Sequence, residues 1–151
     1  MTGVARAPFM LEALKQAKAA GARDEVPVGA VIVKNGEILA RAGNLVVGAH
    51  DPSGHAEIRA IRQACAQLGT ERLNDADIYV TLEPCAMCAA AIANARLRRV
   101  YYGAEDVKSG GTDNGVRFFE SPTCHHRPEV ISGIIESECA ALLKAFFAAR
   151  R

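Results

Sequence analysis

Two short segments of the chain carry side chains that could do chemistry together. They are His55-Ala56-Glu57 and Pro84-Cys85-Ala86-Met87-Cys88. Cysteines three positions apart lie on one face of a helix, so both sulfurs can reach a single metal ion. With His55 they make three ligands for tetrahedral zinc, and the fourth position stays open to water, as it does in catalytic zinc sites. We therefore expect one zinc ion held by His55, Cys85 and Cys88.

Glu57 stands two residues after His55, so the two side chains diverge and both can border one cavity. A carboxylate beside zinc-activated water can take a proton and return it to a ring nitrogen and a leaving amine. This combination performs hydrolytic deamination, with Glu57 as the catalytic proton shuttle. The paired H-x-E and P-C-x-x-C segments are the known signature of the zinc nucleobase deaminases, and the mechanism is taken from that class.

Other interpretations of the same residues remain open. A structural zinc site would need a fourth ligand, for which Cys124, His125 and His126 are candidates. A thioredoxin-like redox pair would explain the C-x-x-C spacing but would leave His55 and Glu57 without a role. The remaining cysteines, Cys65 and Cys139, fall on apolar helix faces and are expected to be small core residues.

Length and composition limit the class of protein. A chain of 151 residues with 50% hydrophobic and 23% charged residues is expected to fold as one domain, 1–151. The 18 Lys and Arg residues nearly balance the 17 Asp and Glu residues, so any nucleic-acid contact must be a local patch. Five cysteines without an export signal favour reduced thiols and a cytoplasmic location. The longest apolar stretch without charge, 85–95, is too short to span a membrane.

The first half of the sequence predicts a helix, a hairpin and a second helix. Residues 8–20 have an apolar stripe, and Pro8 suits a first helical turn. The β-rich runs 28–34 and 37–42 are joined by Asn35-Gly36, a strong hairpin signal because both positions must tolerate positive φ. After a loop over 43–54, a helix is expected over 56–68. Its apolar face is predicted to consist of Ile58, Ile61, Cys65 and Leu68.

The second half predicts a strand, helix and strand unit followed by a long irregular segment. A strand over 77–82, a helix opened by Pro84 and running to 95, and a strand over 98–102 should form a parallel, right-handed crossover. Residues 103–128 are expected to be irregular, followed by a short strand at 129–132. A final helix is marked by Ile135, Cys139, Leu142 and Phe146. The whole pattern predicts an α/β protein with a mixed sheet of four or five strands covered by helices.

Longer segments around these motifs carry a family resemblance. His55-Ala56-Glu57-Ile58, 81–88 (TLEPCAMC), 25–30 (EVPVGA) and 138–143 (ECAALL) together resemble the bacterial tRNA-specific adenosine deaminases of the cytidine deaminase superfamily. The resemblance implies a three-layer α/β/α sandwich with a mixed five-stranded sheet, a homodimer and one Zn²⁺ per subunit. It also implies conversion of the wobble adenosine in the anticodon stem-loop of an arginine tRNA to inosine.

The resemblance also implies substrate-binding residues. Asn44 matches a substrate-contacting Asn whose amide could donate to a purine nitrogen or a ribose oxygen. Asp106 matches an acidic residue near the flipped nucleotide. Lys108 and Arg150, with Arg151, could meet phosphates, and Phe147 or its neighbour Phe146 could stack on an anticodon base. Residues 111–128 depart from the family pattern, so the resemblance does not predict RNA contacts in that segment.

Two rival functions stay open on the sequence. One is a deaminase of a free base such as guanine or cytosine, which would need no phosphate contacts from Lys108 or Arg150. The other is a zinc-stabilised RNA-binding module without turnover, in which Glu57 would have no proton to move.

Overall fold

A mixed five-stranded sheet forms the middle layer of the structure, a computed structural model that describes the backbone of residues 3–150 and the side chains of 6–150. The strands are β1 (Gly29–Lys34), β2 (Glu37–Gly43), β3 (Ala76–Leu82), β4 (Arg99–Ala104) and β5 (Glu129–Ile131). Their order in the sheet is β2-β1-β3-β4-β5. β1 runs antiparallel to both of its neighbours, whereas β3, β4 and β5 are parallel. The predicted mixed sheet and the parallel crossover from β3 to β4 are confirmed.

Helices cover both faces of this sheet. They are α1 (Gly3–Ala22), α2 (Ala56–Leu68), α3 (Ala86–Asn94) and α4 (Glu136–Ala148), with a short 3₁₀ turn at Phe118–Glu120. Successive strand residues point to opposite faces. Ile78 and Val80 therefore join a core cluster with α2 and α3, while Tyr79 joins a second cluster with α1 and α4. The three-layer α/β/α sandwich is confirmed, with α2 and α3 on one side of the sheet.

The buried face of α2 differs from the prediction. Its buried apolar residues are Ala56, Ala60 and Ala64, whereas Ile61 is half-buried and Leu68 is 39% exposed. Small side chains occupy the centre of the contact because they let the helix backbone approach the sheet closely. The larger apolar side chains, which dominate the sequence pattern, flank that contact instead.

Several element boundaries also differ from the sequence predictions. Pro8 lies inside α1, because that helix begins at Gly3. α3 begins at Ala86 with Cys85 as its N-cap, so Pro84 precedes the helix and does not open it. The hairpin turn has the expected backbone, with φ of 53° at Asn35 and 77° at Gly36. Across residues 3–150, no helix is both long enough and apolar enough to cross a membrane.

Candidate metal centre and substrate pocket

The starts of α2 and α3 bring three potential metal ligands together. His55 is the N-cap of α2 and Cys85 is the N-cap of α3, and neither side chain caps its own helix. The Nδ1 atom of His55 lies 3.6 Å from the Sγ atom of Cys85 and 3.5 Å from that of Cys88. All three ligand atoms lie within 4.8 Å of one another. A metal ion could be held between them.

Hydrogen bonds within this cluster shift the pKa values of all three side chains. Two hydrogen bonds lower the pKa of Cys85 to about 4: the larger contribution comes from the Cys88 thiol and the smaller from His55. The same contact with Cys85, together with burial, raises the pKa of Cys88. The hydrogen bond to Cys85 also raises the pKa of His55. A thiolate is therefore present at neutral pH, and the positive ends of two helix dipoles stabilise it.

Glu57 lies beside this cluster in the first turn of α2. Its side chain is buried, at 3% exposure, and burial raises its pKa to about 7. A carboxyl group with that pKa exists in both protonation states near neutral pH, so it can accept a proton and give one back. Glu57 therefore has the acid–base properties that a proton shuttle needs.

Glu57 and two members of the metal-ligand cluster, His55 and Cys85, line one small cavity of about 190 Å³. Residues before β1, at the end of β3 and at the starts of α2 and α3 contribute to its wall. The lining residues are Val26, Val28, Asn44, His55, Glu57, Leu82, Glu83, Cys85, Asp106 and Ser109. Of the predicted substrate-binding residues, Asn44 and Asp106 lie here.

Asn44 has a structural role that the sequence did not reveal. Its Oδ1 atom accepts a hydrogen bond of 2.7 Å from the backbone N–H of Ala56, the first residue of α2. Asn44 thus supplies the cap that the His55 side chain does not. Because Oδ1 faces the helix, the Nδ2 donor is directed away from it, and Asn44 lines the cavity. The predicted amide donor to a substrate is consistent with this orientation.

Two buried glutamates, Glu25 and Glu83, hold the loops around the cavity, and the sequence predicts a role for neither of them. Glu25 accepts hydrogen bonds from the backbone N–H groups of Gly48, Val46 and Val47 at 2.8, 2.9 and 3.2 Å. These bonds, led by that of Gly48, lower its pKa. Glu83 binds the segment 106–114 in the same way. The signal in the sequence is weak: each of the two glutamates stands next to an apolar run, 26–33 for Glu25 and 78–82 for Glu83.

A second, larger cavity of about 720 Å³ adjoins the first, and the two share Val26, Leu82, Asp106 and Ser109. Its outer wall contains Lys108, Phe147 and Arg150, so the remaining predicted substrate-binding residues meet here. Phe147 is 47% exposed.

Arg150 is already engaged within the chain. Its Nη2 atom lies 2.7 Å from Oδ1 of Asp24, and its guanidinium lies 3.5 Å from the centre of the Phe146 ring. Asp24 is 88% exposed, so this ion pair is solvated and weak. Phe146 is therefore covered by Arg150, and Phe147 is the better placed of the two rings for stacking. The predicted phosphate contact at Arg151 lies outside the described residues.

The cysteine and histidines of the long irregular segment do not join the metal-ligand cluster. The Cys124 thiol donates to the carbonyl of His126 at 3.1 Å, and Nε2 of His126 lies 2.7 Å from the carbonyl of Leu97. Within the described part of the chain, the group of metal-ligating side chains consists of His55, Cys85 and Cys88. The alternative of a structural site with a fourth ligand from 124–126 therefore has no support.

Comparisons with known proteins agree with the site. Residues 6–151 match the MafB19-like deaminase family. The tRNA-specific adenosine deaminase of Agrobacterium fabrum is 58% identical, and the match covers 97% of this chain and 96% of that protein. A solved structure from a study of A-to-I editing by tRNA:A34 deaminases at the wobble position of transfer RNA superposes with a TM-score of 0.89. It is 59% identical over 89% of this chain and 98% of its own.

A free-base deaminase is also similar, over a smaller part of the chain. Guanine deaminase from Bacillus subtilis has a TM-score of 0.62 and is 43% identical, and the match covers 65% of this chain and 63% of that one. The tRNA-specific relatives match nearly the whole length instead. The chain therefore belongs to the family of the tRNA-specific adenosine deaminases.

Proposed function

We propose that this protein hydrolytically deaminates adenosine to inosine at the wobble position of a tRNA anticodon, with an arginine tRNA as substrate. One observation carries the proposal. A buried carboxylate lines a cavity of single-base size together with His55 and Cys85, two of the three grouped metal-ligating side chains, and a larger cavity with Lys108 and Arg150 opens beside it. Membership in the tRNA-specific family supports the same substrate.

We further propose that the metal is zinc, bound by His55 Nδ1 and the sulfurs of Cys85 and Cys88. Two thiolates and a neutral imidazole balance the charge of a divalent cation, and this nitrogen and sulfur set is one that zinc prefers. When bound, zinc supplies the Lewis acidity that makes a water molecule nucleophilic near neutral pH. Three protein ligands leave room for that water beside Glu57.

Glu57 moves the protons of the proposed reaction. It accepts a proton from the attacking water and delivers it to N1 of the adenine ring, while a bond forms between the water oxygen and C6. It then transfers the second proton of the water to the departing amine, the C6–N6 bond breaks, and ammonia leaves. Adenosine and water are thus converted to inosine and ammonia, without an oxidant or a second substrate.

Asn44 and the larger cavity account for substrate recognition in this proposal. The Nδ2 group of Asn44 donates to a purine nitrogen or to the ribose of the flipped nucleotide, while Asp106 contacts the same nucleotide. Phe147 stacks on a flanking anticodon base, and Lys108 and Arg150 meet phosphates. For that contact Arg150 releases Asp24, which costs little because the ion pair is solvated. A base in a hairpin loop is also easier to unstack than one in a duplex.

We also propose that the protein acts as a homodimer in the cytoplasm, where its tRNA substrate is found. Large apolar side chains that remain exposed include Val47, at 72%, and Met87, at 40%. Met87 lies on α3, which packs against α2. A second copy of the chain that packs against α3 would cover the exposed side chain of Met87. Sedimentation analysis should give twice the mass of one chain. A single-chain mass over the working concentration range would contradict the dimer.

One experiment tests the activity. The zinc-loaded protein is incubated with an arginine tRNA anticodon stem-loop and, in a parallel reaction, with free guanine, and inosine and ammonia are measured. We expect inosine from the stem-loop and no ammonia from guanine. Ammonia from guanine without inosine from the stem-loop would support the free-base deaminase. The similarity to guanine deaminase makes that activity the second candidate. Absence of turnover with either substrate, while the stem-loop is bound, would support the RNA-binding module.

A further inference from the structure

The carboxylate of Glu83 is buried, at 2% exposure, at the point where β3 leads into the metal-binding start of α3. Its Oε1 atom accepts hydrogen bonds from the backbone N–H of Asp106 at 3.0 Å and from Nδ2 of Asn114 at 2.7 Å. Its Oε2 atom accepts from the backbone N–H groups of Thr112, Asp113 and Asn114 at 3.2, 3.0 and 3.0 Å, and from the Thr112 hydroxyl at 3.2 Å. One carboxylate thus binds both ends of the segment 106–114, at Asp106 and at 112–114.

We propose that Glu83 is a positioning residue for the substrate pocket, which holds the segment 106–114 so that Asp106 and Ser109 form the wall shared by the two cavities. Within residues 6–150, the hydrogen-bond donors to Glu83 all belong to this segment. Asp106 and Ser109 are in turn fixed to each other, because the N–H of Ser109 donates to Oδ1 of Asp106 at 3.0 Å. The inference rests on the proposed function only for the identity of the substrate.

Two adjacent glycines, Gly110 and Gly111, contact different parts of the site. They allow the effect of Glu83 on the pocket wall to be distinguished from an effect on the metal-binding helix α3. A Cβ atom on Gly110 would lie 2.4 Å from Oε2 of Glu83, so the carboxylate and the segment need a residue without a side chain there. A Cβ atom on Gly111 would instead lie 2.5 Å from the backbone nitrogen of Ala86 and 2.7 Å from the carbonyl carbon of Cys85. A substitution at Gly110 therefore disturbs the pocket wall, and a substitution at Gly111 disturbs the start of α3.

The contacts of Asn114 permit a mild test of the same role. Its Nδ2 group joins Glu83 to Oε1 of Glu105, at 2.7 and 2.9 Å. Asn114→Ala removes one hydrogen bond to each carboxylate and leaves the backbone donors in place. The variant should fold, because the affected end of Asn114 lies near the surface. Asn74, which is exposed just before the opposite end of β3, provides the matched control Asn74→Ala.

The experiment compares Glu83→Gln, Asn114→Ala, Gly110→Ala and Asn74→Ala with the wild-type enzyme. The measurements are zinc content, amide hydrogen exchange over 105–114, and kcat and KM for the arginine tRNA stem-loop. Loss of charge-assisted hydrogen bonds at Glu83 should raise KM about tenfold or more, and loss of the Asn114 side-chain bonds to Glu83 and Glu105 should raise it about threefold. Gly110→Ala should also raise KM, although Glu83 is intact. In all three variants we expect faster exchange and a full zinc complement, and Asn74→Ala should match the wild type.

Other results would overturn the inference. Unchanged exchange over 105–114 in Asn114→Ala and Gly110→Ala would show that Glu83 does not hold the segment, even if Glu83→Gln fails to fold. Loss of zinc with kcat reduced and KM unchanged would assign Glu83 to the metal-binding helix instead. If the wild-type enzyme does not turn over the stem-loop, the proposed substrate is wrong, but hydrogen exchange still decides whether Glu83 orders the segment.

Discussion

Asn44 offers a test that separates the stability of the site from substrate binding. Its Oδ1 atom caps α2 by accepting a 2.7 Å hydrogen bond from the N–H of Ala56, and its side chain lines the cavity where the proposal places Nδ2 against the substrate. Asn44→Ala removes both functions. Asn44→Asp keeps an acceptor for the Ala56 N–H but removes the amide donor. Both variants therefore lose the amide donor, and only Asn44→Ala also loses the acceptor that caps α2.

The expected magnitudes follow from these two bonds. Loss of a helix N-cap costs about 1 kcal/mol, which lowers the Tm of a domain of this size by about 2–4 °C. Asn44→Ala should show this deficit, and Asn44→Asp should be more stable than Asn44→Ala. Loss of a neutral hydrogen bond to the substrate costs about 1 kcal/mol, so kcat/KM should fall roughly five- to tenfold in both variants. An aspartate beside Glu57 would add charge repulsion and lower kcat/KM further.

Two measurements suffice for this prediction. Thermal unfolding of the zinc-loaded proteins gives the stability difference, and inosine formation on the arginine tRNA stem-loop gives kcat/KM. Wild-type kcat/KM in Asn44→Asp would refute the proposed amide donor. Equal Tm values for Asn44→Ala and the wild type would refute the capping role.

Other predictions concern the shuttle, the metal, the loop anchor and the RNA contact. Glu57→Gln should keep zinc and lose about 10²- to 10⁴-fold in kcat, and unchanged inosine formation would remove Glu57 from the mechanism. Chelation should abolish activity and added Zn²⁺ should restore it, whereas Cys88→Ser should bind zinc more weakly in metal analysis by mass spectrometry. Glu25→Gln should lower Tm by a few degrees at pH 7. Because the folded-state pKa of Glu25 lies below 4.5, that stabilisation is present above pH 4.5 and is lost as the pH falls through the folded-state value, so the two proteins should converge in acid. A deficit that persists unchanged in acid would argue against the carboxylate as the anchor. Arg150→Ala should reduce the slope of log affinity for the stem-loop against log salt by about 0.7, and Arg127→Ala, near the start of β5, should not.

The sequence predicted the parts of the protein that depend on local pattern. Runs rich in β-forming apolar residues located the strands, and Asn35-Gly36 located the hairpin because a two-residue turn needs positive φ at both positions. The spacing of Cys85 and Cys88 and the H-x-E segment indicated a shared metal-ligand cluster, which the structure brings together. The small side chains at the contact between α2 and the sheet were not predicted. The periodicity of a sequence shows which positions are hydrophobic, but it does not show how closely the helix backbone approaches the sheet.

Only the tertiary structure revealed how the pocket is held. Asn44 caps a helix that begins 12 residues later, Glu83 binds backbone groups 23 to 31 residues away, and Arg150 pairs with Asp24 across the fold. Such bonds are made between a side chain and whatever donor the folded chain places beside it, and most of those donors are backbone N–H groups that every residue except proline carries. The sequence alone therefore determined which atoms could do the chemistry, and the packing of loops at the ends of the central strands decided how the wall around them is held.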